Sequence, residues 1–232
     1  MTCTRRAATA IFLASASLLG GAVLGCAADR DDVSGPPVAG VGDTVAPVVV
    51  TGGFAAGPIR SVAMVGDSIT LGSEPALRQA FGELRVDLIA IDAENGRRMT
   101  IDGAVNSGLE AVDDVAADGP PDLWVVALGT NDVGHYDGPD EYRAAIDDVL
   151  AALPADVPLV WVGVYLEADA ERSEAFNETL REVLDERGNA TIVDWATTAD
   201  DGDVLADGVH PDDNGTTLFA LLVAGGVSDW LD

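Results

Sequence analysis

Apolar residues fall into five short continuous runs along this chain: SVAMVG (61–66), VDLIAID (86–92), DLWVVALG (122–129), PLVWVGVY (158–165) and ATIVDW (190–195). Runs of this length without strict alternation read as strands covered on both faces. Between and after them, apolar residues recur at three- and four-residue spacing, which predicts helices over 74–84, 104–117, 139–153, 170–187 and 212–231. Alternating strands and helices predict an α/β domain over 60–232 with a five-stranded parallel sheet and right-handed crossovers. Ahead of it, residues 26–59 are rich in Gly, Pro, Asp and small side chains and read as a flexible tether. Within the tether only VAPVVVT offers a strand. Pro47 restricts that strand to an edge, because proline cannot donate to a central ladder.

The alternation also says where chemistry collects. In a parallel sheet all carboxyl ends lie on one edge, so the segments that follow the strands converge although they are far apart in sequence. Here those segments are GDSIT, AENGRR, GTNDVGH, LEAD and TTADDGDVLADGVHP. Ser68 in the first supplies a hydroxyl, which is a weak nucleophile until a base within hydrogen-bond reach takes its proton. The chain has two histidines, His135 and His210. Asp207 stands three residues before His210, with Gly208 between them to permit a tight turn. Its carboxylate is therefore placed to meet the imidazole Nδ1–H and set the tautomer. Asp132 precedes His135 at the same spacing, but it directly follows Asn131 at a strand end, where the amide has another use. Attack on an ester creates an oxyanion that needs fixed donors. The Ser68 N–H, the Gly96 N–H and the Asn131 side-chain amide all come from loops on that edge, and Gly96 lets backbone approach a substrate without an intruding side chain.

Ser68 in GDSIT, Gly96 in ENGRR, Asn131 in GTND and His210 in DGVHP, in that order, resemble the four sequence blocks of the SGNH (GDSL) hydrolases. The resemblance covers residues 60–232. It implies a flavodoxin-like three-layer α/β/α sandwich with strand order 2-1-3-4-5. Ser68 would be the nucleophile, His210 the base and Asp207 its orienting partner, with Ser68, Gly96 and Asn131 forming the oxyanion hole. GRR (96–98), LWVVALGTND and IVDW are also similar to the SGNH domains of actinobacterial cell-envelope proteins related to peptidoglycan O-acetyltransferases. The expected activity is hydrolysis of small acyl esters, O-acetyl foremost, with no cofactor and no metal. The alternatives are acetyl transfer to an envelope glycan and a catalytically silent ligand-binding lipoprotein.

The amino end and the charge narrow the setting. Arg5 and Arg6 precede an uncharged, largely apolar stretch, residues 7–25, that ends in Val23-Leu24-Gly25 before Cys26. A basic start, an apolar middle and a small residue at the exit describe a secretory signal. A cysteine directly after it resembles the acylated residue of bacterial lipoproteins, although Val23 stands where leucine is usual. The expectation is a signal over 1–25, a lipid on Cys26 and a location on the outer face of a bacterial cytoplasmic membrane. Ordinary secretion and an uncleaved membrane anchor are the other possibilities. Cys3 lies in the removed segment, so an exported chain has neither a disulfide framework nor a thiolate metal cage.

The formal charge is −28, from 40 acidic and 12 basic residues, and every basic residue is arginine. Such a surface disfavours nucleic acid and anionic lipid as partners. GDSITLG lacks the lysine of a phosphate loop, and it also lacks the glycine two places after the serine of a nucleophile elbow. None of the runs DDVAAD, EADAERSE and TTADDGDVLADG has the spacing of an EF-hand loop, so they read as solvated surface. Trp124 and Trp161 are expected in the core. Asp67 is expected to order the turn and Thr130 to serve as loop structure. Tyr136, Tyr165, Arg97 and Arg98 lie near strand ends, where one or two of them are expected to touch an acyl group or sugar.

Overall fold

The computed structural model describes residues 57–231 except 102 and 104, together with the short strand Val49–Val50. The signal segment, Cys26 and most of the tether lie outside the described residues. The six strands are β1 (Val49–Val50), β2 (Ser61–Gly66), β3 (Asp87–Ala93), β4 (Leu123–Ala127), β5 (Leu159–Val162) and β6 (Ala190–Val193). They form one sheet in the order β1-β6-β5-β4-β2-β3. β2 to β6 pair in parallel and reproduce the expected 2-1-3-4-5 order, while β1 adds antiparallel to the β6 edge. The edge strand allowed by Pro47 is therefore present.

Side chains alternate across this sheet and build two cores. Val62 and Met64 of β2, with Leu123 and Val125 of β4, face α1 (Ser68–Leu84), α5 (Trp195–Asp201) and α6 (Asp213–Ser228). Ala63, Val65, Trp124 and Val126 face the other way, onto α2 (Gly108–Asp118), α3 (Pro139–Ala152) and α4 (Ala170–Arg187). Trp124 and Trp161 are buried in this second core, as expected. With helices on both faces, the central strands must be apolar throughout, which is why their runs are continuous. β3 is the exception. It sits at the sheet edge with Ile89 41% exposed, so the expectation that it is covered on both faces does not hold.

Among the element boundaries that differ from the sequence expectation, two lie at the site edge. α1 begins at Ser68, not at 74, because Asp67 caps it by accepting from the Ile69 N–H at 3.0 Å. Pro75, a residue favoured in first turns, instead lies inside this helix. β6 stops at Val193, because Asp194 caps the short helix α5 by accepting from the Thr197 N–H. The sequence pattern predicts the end of a strand and the start of a loop at this point. α2 and α6 are likewise shorter than their apolar spacing suggested.

Candidate active site

The site lies where the chain reverses direction across the sheet. From β2 the first crossover leads outward to β3, and the next returns past β2 to β4, leaving a crevice at the carboxyl ends of β2 and β4. Ser68 follows β2 and Asn131 follows β4. The turn out of β2 is very tight: a Cβ on Gly66 would collide with the Thr70 side chain, so only glycine lets α1 fold back at this point. Ser68 then occupies the first position of a helix whose opening N–H groups have no intrahelical acceptors and carry the positive end of its dipole.

His210 arrives from the far end of the domain on a loop that its own sequence shapes. Asp207 Oδ1 accepts from the Val209 and His210 N–H groups at 3.1 and 2.8 Å, closing an Asx turn that Gly208 completes at φ +82°. Pairing of Leu205 with Pro211, and a hydrogen bond from the Glu167 N–H to the Gly208 carbonyl, hold the loop against the β5 end. The second carboxylate oxygen lies 2.9 Å from His210 Nδ1, and His210 Nε2 lies 3.0 Å from Ser68 Oγ. The His210 backbone N–H and then its side chain hold the Asp207 carboxyl down to about 2, so it is an acceptor at neutral pH. Nδ1 must then carry a proton, and in the neutral imidazole Nε2 is left to accept from Ser68. The Asp207–His210 contact is the one expected from spacing, and the Ser68–His210 contact joins positions 142 residues apart in sequence.

The other histidine does something else. Asp132 turns away from His135 and accepts the Met99 N–H with both oxygens at 3.2 Å, while His135 Nδ1 sits 3.1 Å from an Arg98 nitrogen. The same Asp-x-x-His spacing thus produces two arrangements, because one aspartate is exposed on a turn and the other is buried under the loop from β3.

In the loop after β3, Gly96 takes φ +74°, is exposed, and has open space where a Cβ would stand. Asn131 Nδ2 donates to the Arg97 carbonyl at 3.1 Å and to Asp67 Oδ2 at 3.3 Å, drawing the loops after β2, β3 and β4 together. Arg97, one of the four residues from which one or two substrate contacts are expected, is 1% exposed. Its guanidinium donates to the Gly66 and Asp92 carbonyls, the Asp92 carboxylate and the Asn106 side-chain oxygen, tying the ends of β2 and β3 from below. Tyr165 is also buried, with its hydroxyl donating to Asp200 at 2.6 Å. Arg98 and Tyr136 stay partly exposed, with the Tyr136 hydroxyl 3.0 Å from that of Thr100. Among the described residues, no group of three His, Cys, Asp or Glu side chains is arranged to hold a metal ion.

Two buried carboxylates beneath the site were not singled out for their burial. Burial raises Asp67 to about 6, against the Ile69 N–H, the Thr130 hydroxyl and the charge of His210. Burial raises Asp132 to about 7, partly offset by the Met99 N–H and Arg98 and reinforced by Asp67. A raised folded-state value means that between about pH 4 and 7 the native protein binds more protons than the unfolded chain, so acid favours folding through these groups. Asp207 acts in the opposite sense only at lower pH, as pH falls from its unfolded value of 3.8 toward about 2. The urea unfolding free energy is therefore expected to be higher at pH 5 than at pH 8, by on the order of 3 kcal/mol. Asp132→Asn should flatten that slope. An unchanged slope would show that burial does not govern this carboxyl.

Fold and site together define a three-layer α/β protein with a hydroxyl, imidazole and carboxylate in line at the sheet's carboxyl edge. A sequence model of the GDSL-like lipase/acylhydrolase family matches residues 64–218. The chain belongs to that family and is an enzyme of the GDSL/SGNH type that acts on ester bonds. No relative was found among curated protein sequences. Solved structures share the fold at low identity. The C-terminal catalytic domain of Streptococcus pneumoniae peptidoglycan O-acetyltransferase A, solved with a methylsulfonyl adduct, is 21% identical. It covers 75% of this chain and 93% of its own, with a TM-score of 0.58. TesA is 18% identical over 74% of this chain and 99% of its own, with a TM-score of 0.62. The psychrotrophic esterase EstA from Pseudoalteromonas sp. is 13% identical over 74% and 98%, with a TM-score of 0.57.

Proposed function

We propose that this protein is a cofactor-independent serine esterase that removes small acyl groups, O-acetyl foremost, from an exported substrate. The observation that carries the reading is the 3.0 Å contact between Ser68 Oγ and His210 Nε2, with Asp207 behind the imidazole. Ser68 Oγ attacks the ester carbonyl carbon while its proton passes to His210 Nε2, and Asp207 stabilises the imidazolium. The oxyanion is held by the Ser68 and Gly96 N–H groups and the Asn131 amide. His210 then gives its proton to the leaving alcohol as the ester C–O bond breaks, leaving an acyl-Ser68. Water attacks this ester, its proton goes to His210, and the proton returns to Ser68 Oγ as the carboxylic acid departs. Lipid attachment at Cys26 puts the enzyme on the outer face of the cytoplasmic membrane in this proposal, within reach of envelope esters, and the part of 26–59 ahead of β1 is the tether.

Transfer of the acyl group to a glycan hydroxyl is the second reading. Its support is the likeness of fold to the peptidoglycan O-acetyltransferase domain. Both readings share the acyl-Ser68 step and part at the acceptor. A fluorophosphonate probe is expected to label Ser68 alone, as located by peptide mass spectrometry. Turnover of p-nitrophenyl esters should be highest at acetyl to butyryl and at least tenfold lower at palmitoyl. Labelling elsewhere, or a maximum at palmitoyl, overturns the esterase proposal in its stated form. Acetylated oligosaccharide appearing in the same reaction, faster than free acetate, selects the transferase.

A further inference from the structure

We infer that Asp67 is a positioning residue of the reaction, holding the Asn131 amide so that one of its hydrogens faces the oxyanion. The inference rests on the proposed oxyanion role of Asn131. Its starting point is a count of hydrogens. Asn131 Nδ2 has two, and in this structure both are engaged, one by the Arg97 carbonyl at 3.1 Å and one by Asp67 Oδ2 at 3.3 Å. For Asn131 to stabilise an oxyanion, one of these bonds must be given up or shared. The two acceptors are not equal. Arg97 offers a neutral carbonyl from the same loop as Gly96, the second proposed donor, so an oxyanion forming there competes on that side. A charged acceptor outbids a neutral one by roughly a factor of two in hydrogen-bond strength. Asp67 offers a carboxylate from the opposite side, anchored by the Ile69 N–H at 3.0 Å through its other oxygen. It keeps its hydrogen and so fixes the amide plane while the other hydrogen turns to the substrate.

Helix capping alone does not account for this aspartate. A neutral Asn or Ser caps a helix about as well, whereas Asp67 places a full carboxylate at 1% exposure, where a charge is costly unless it is used. The arrangement also fixes which way Asn131 faces. Both of its neighbours are acceptors, so Nδ2 must point toward them and the side-chain oxygen away.

Asp67→Asn keeps an oxygen for the Ile69 N–H but turns an NH2 toward Asn131, two donors facing each other, so the Asn131 amide must rotate. kcat on p-nitrophenyl acetate is expected to fall about 10²-fold, the cost of one oxyanion donor, with KM changed less than threefold. The decisive measurement is a double-mutant cycle. In an Asn131→Ala background, itself about 10²-fold down in kcat, Asp67→Asn should cost less than a further threefold, because the group it acts through is gone. Asp67→Ser, which retains the cap but cannot span to Asn131, should give the same cycle and serves if the Asn variant folds poorly. Costs that multiply across the cycle, or an Asp67→Asn enzyme within threefold of wild type, would overturn the inference. Wild-type kcat in Asn131→Ala would instead overturn the oxyanion reading on which it rests.

Discussion

Replacing Ser68 with alanine is expected to lower kcat on p-nitrophenyl acetate by about 10⁶-fold, the size of the loss when a serine protease loses its nucleophile. That is about 8 kcal/mol of barrier. The size follows from what the hydroxyl does in the proposed mechanism: it forms the bond that divides one difficult displacement into two easier ones, and no neighbouring group replaces it. Among the described residues, Ser68 is the hydroxyl that meets His210 Nε2. The variant should fold normally, because Asp67, not Ser68, caps α1 and the Ser68 hydroxyl contacts only His210 among the described residues. Thermal denaturation within about 2 °C of wild type, together with the lost turnover, would assign the effect to chemistry. Residual kcat within tenfold of wild type would remove Ser68 from the mechanism.

Asp207→Asn is expected to cost about 10³-fold in kcat with little change in stability. Asparagine keeps an oxygen for the Val209 and His210 N–H groups, so the turn that presents His210 survives. Its NH2, however, now faces Nδ1 and favours the tautomer with the proton on Nε2. That proton blocks acceptance from Ser68 Oγ, which is why the substitution costs far more than one lost hydrogen bond. Asp207 is 57% exposed at its side chain, so solvent relieves part of the tautomer preference and the loss is put below the roughly 10⁴ of a buried triad aspartate. Steady-state kinetics across pH 6 to 9 checks this. A loss under tenfold would mean that the turn, and not the carboxylate charge, is what His210 needs.

Some of this was legible in the sequence because it is local or periodic. Continuous apolar runs separated by helical spacing can bury their residues only in a parallel sheet covered on both faces, and the layout of GDSIT, GTND and DGVHP at run ends placed them on one edge. The Asp207-x-x-His210 turn was readable because three residues and a glycine determine it. Where a local signal competed with another, the reading slipped. Asp67 reads as a turn residue in the sequence but caps α1 in the fold, so the helix starts at 68 and not 74, and the apolar Trp195 extended β6 past the Asp194 cap. The exposed face of β3 was invisible because a strand's place in the sheet depends on its partners.

What the chain order determined by itself was the fold class and the set of side chains delivered to one rim. Only the tertiary structure decided which of them touch. It separated two aspartate–histidine pairs of identical spacing, buried Arg97 at the ends of β2 and β3, and set Asp67 against Asn131. The reason is physical: spacing limits where a side chain can be, but burial and the competition among acceptors for a finite number of hydrogens determine its partner, and both exist only once distant segments have met.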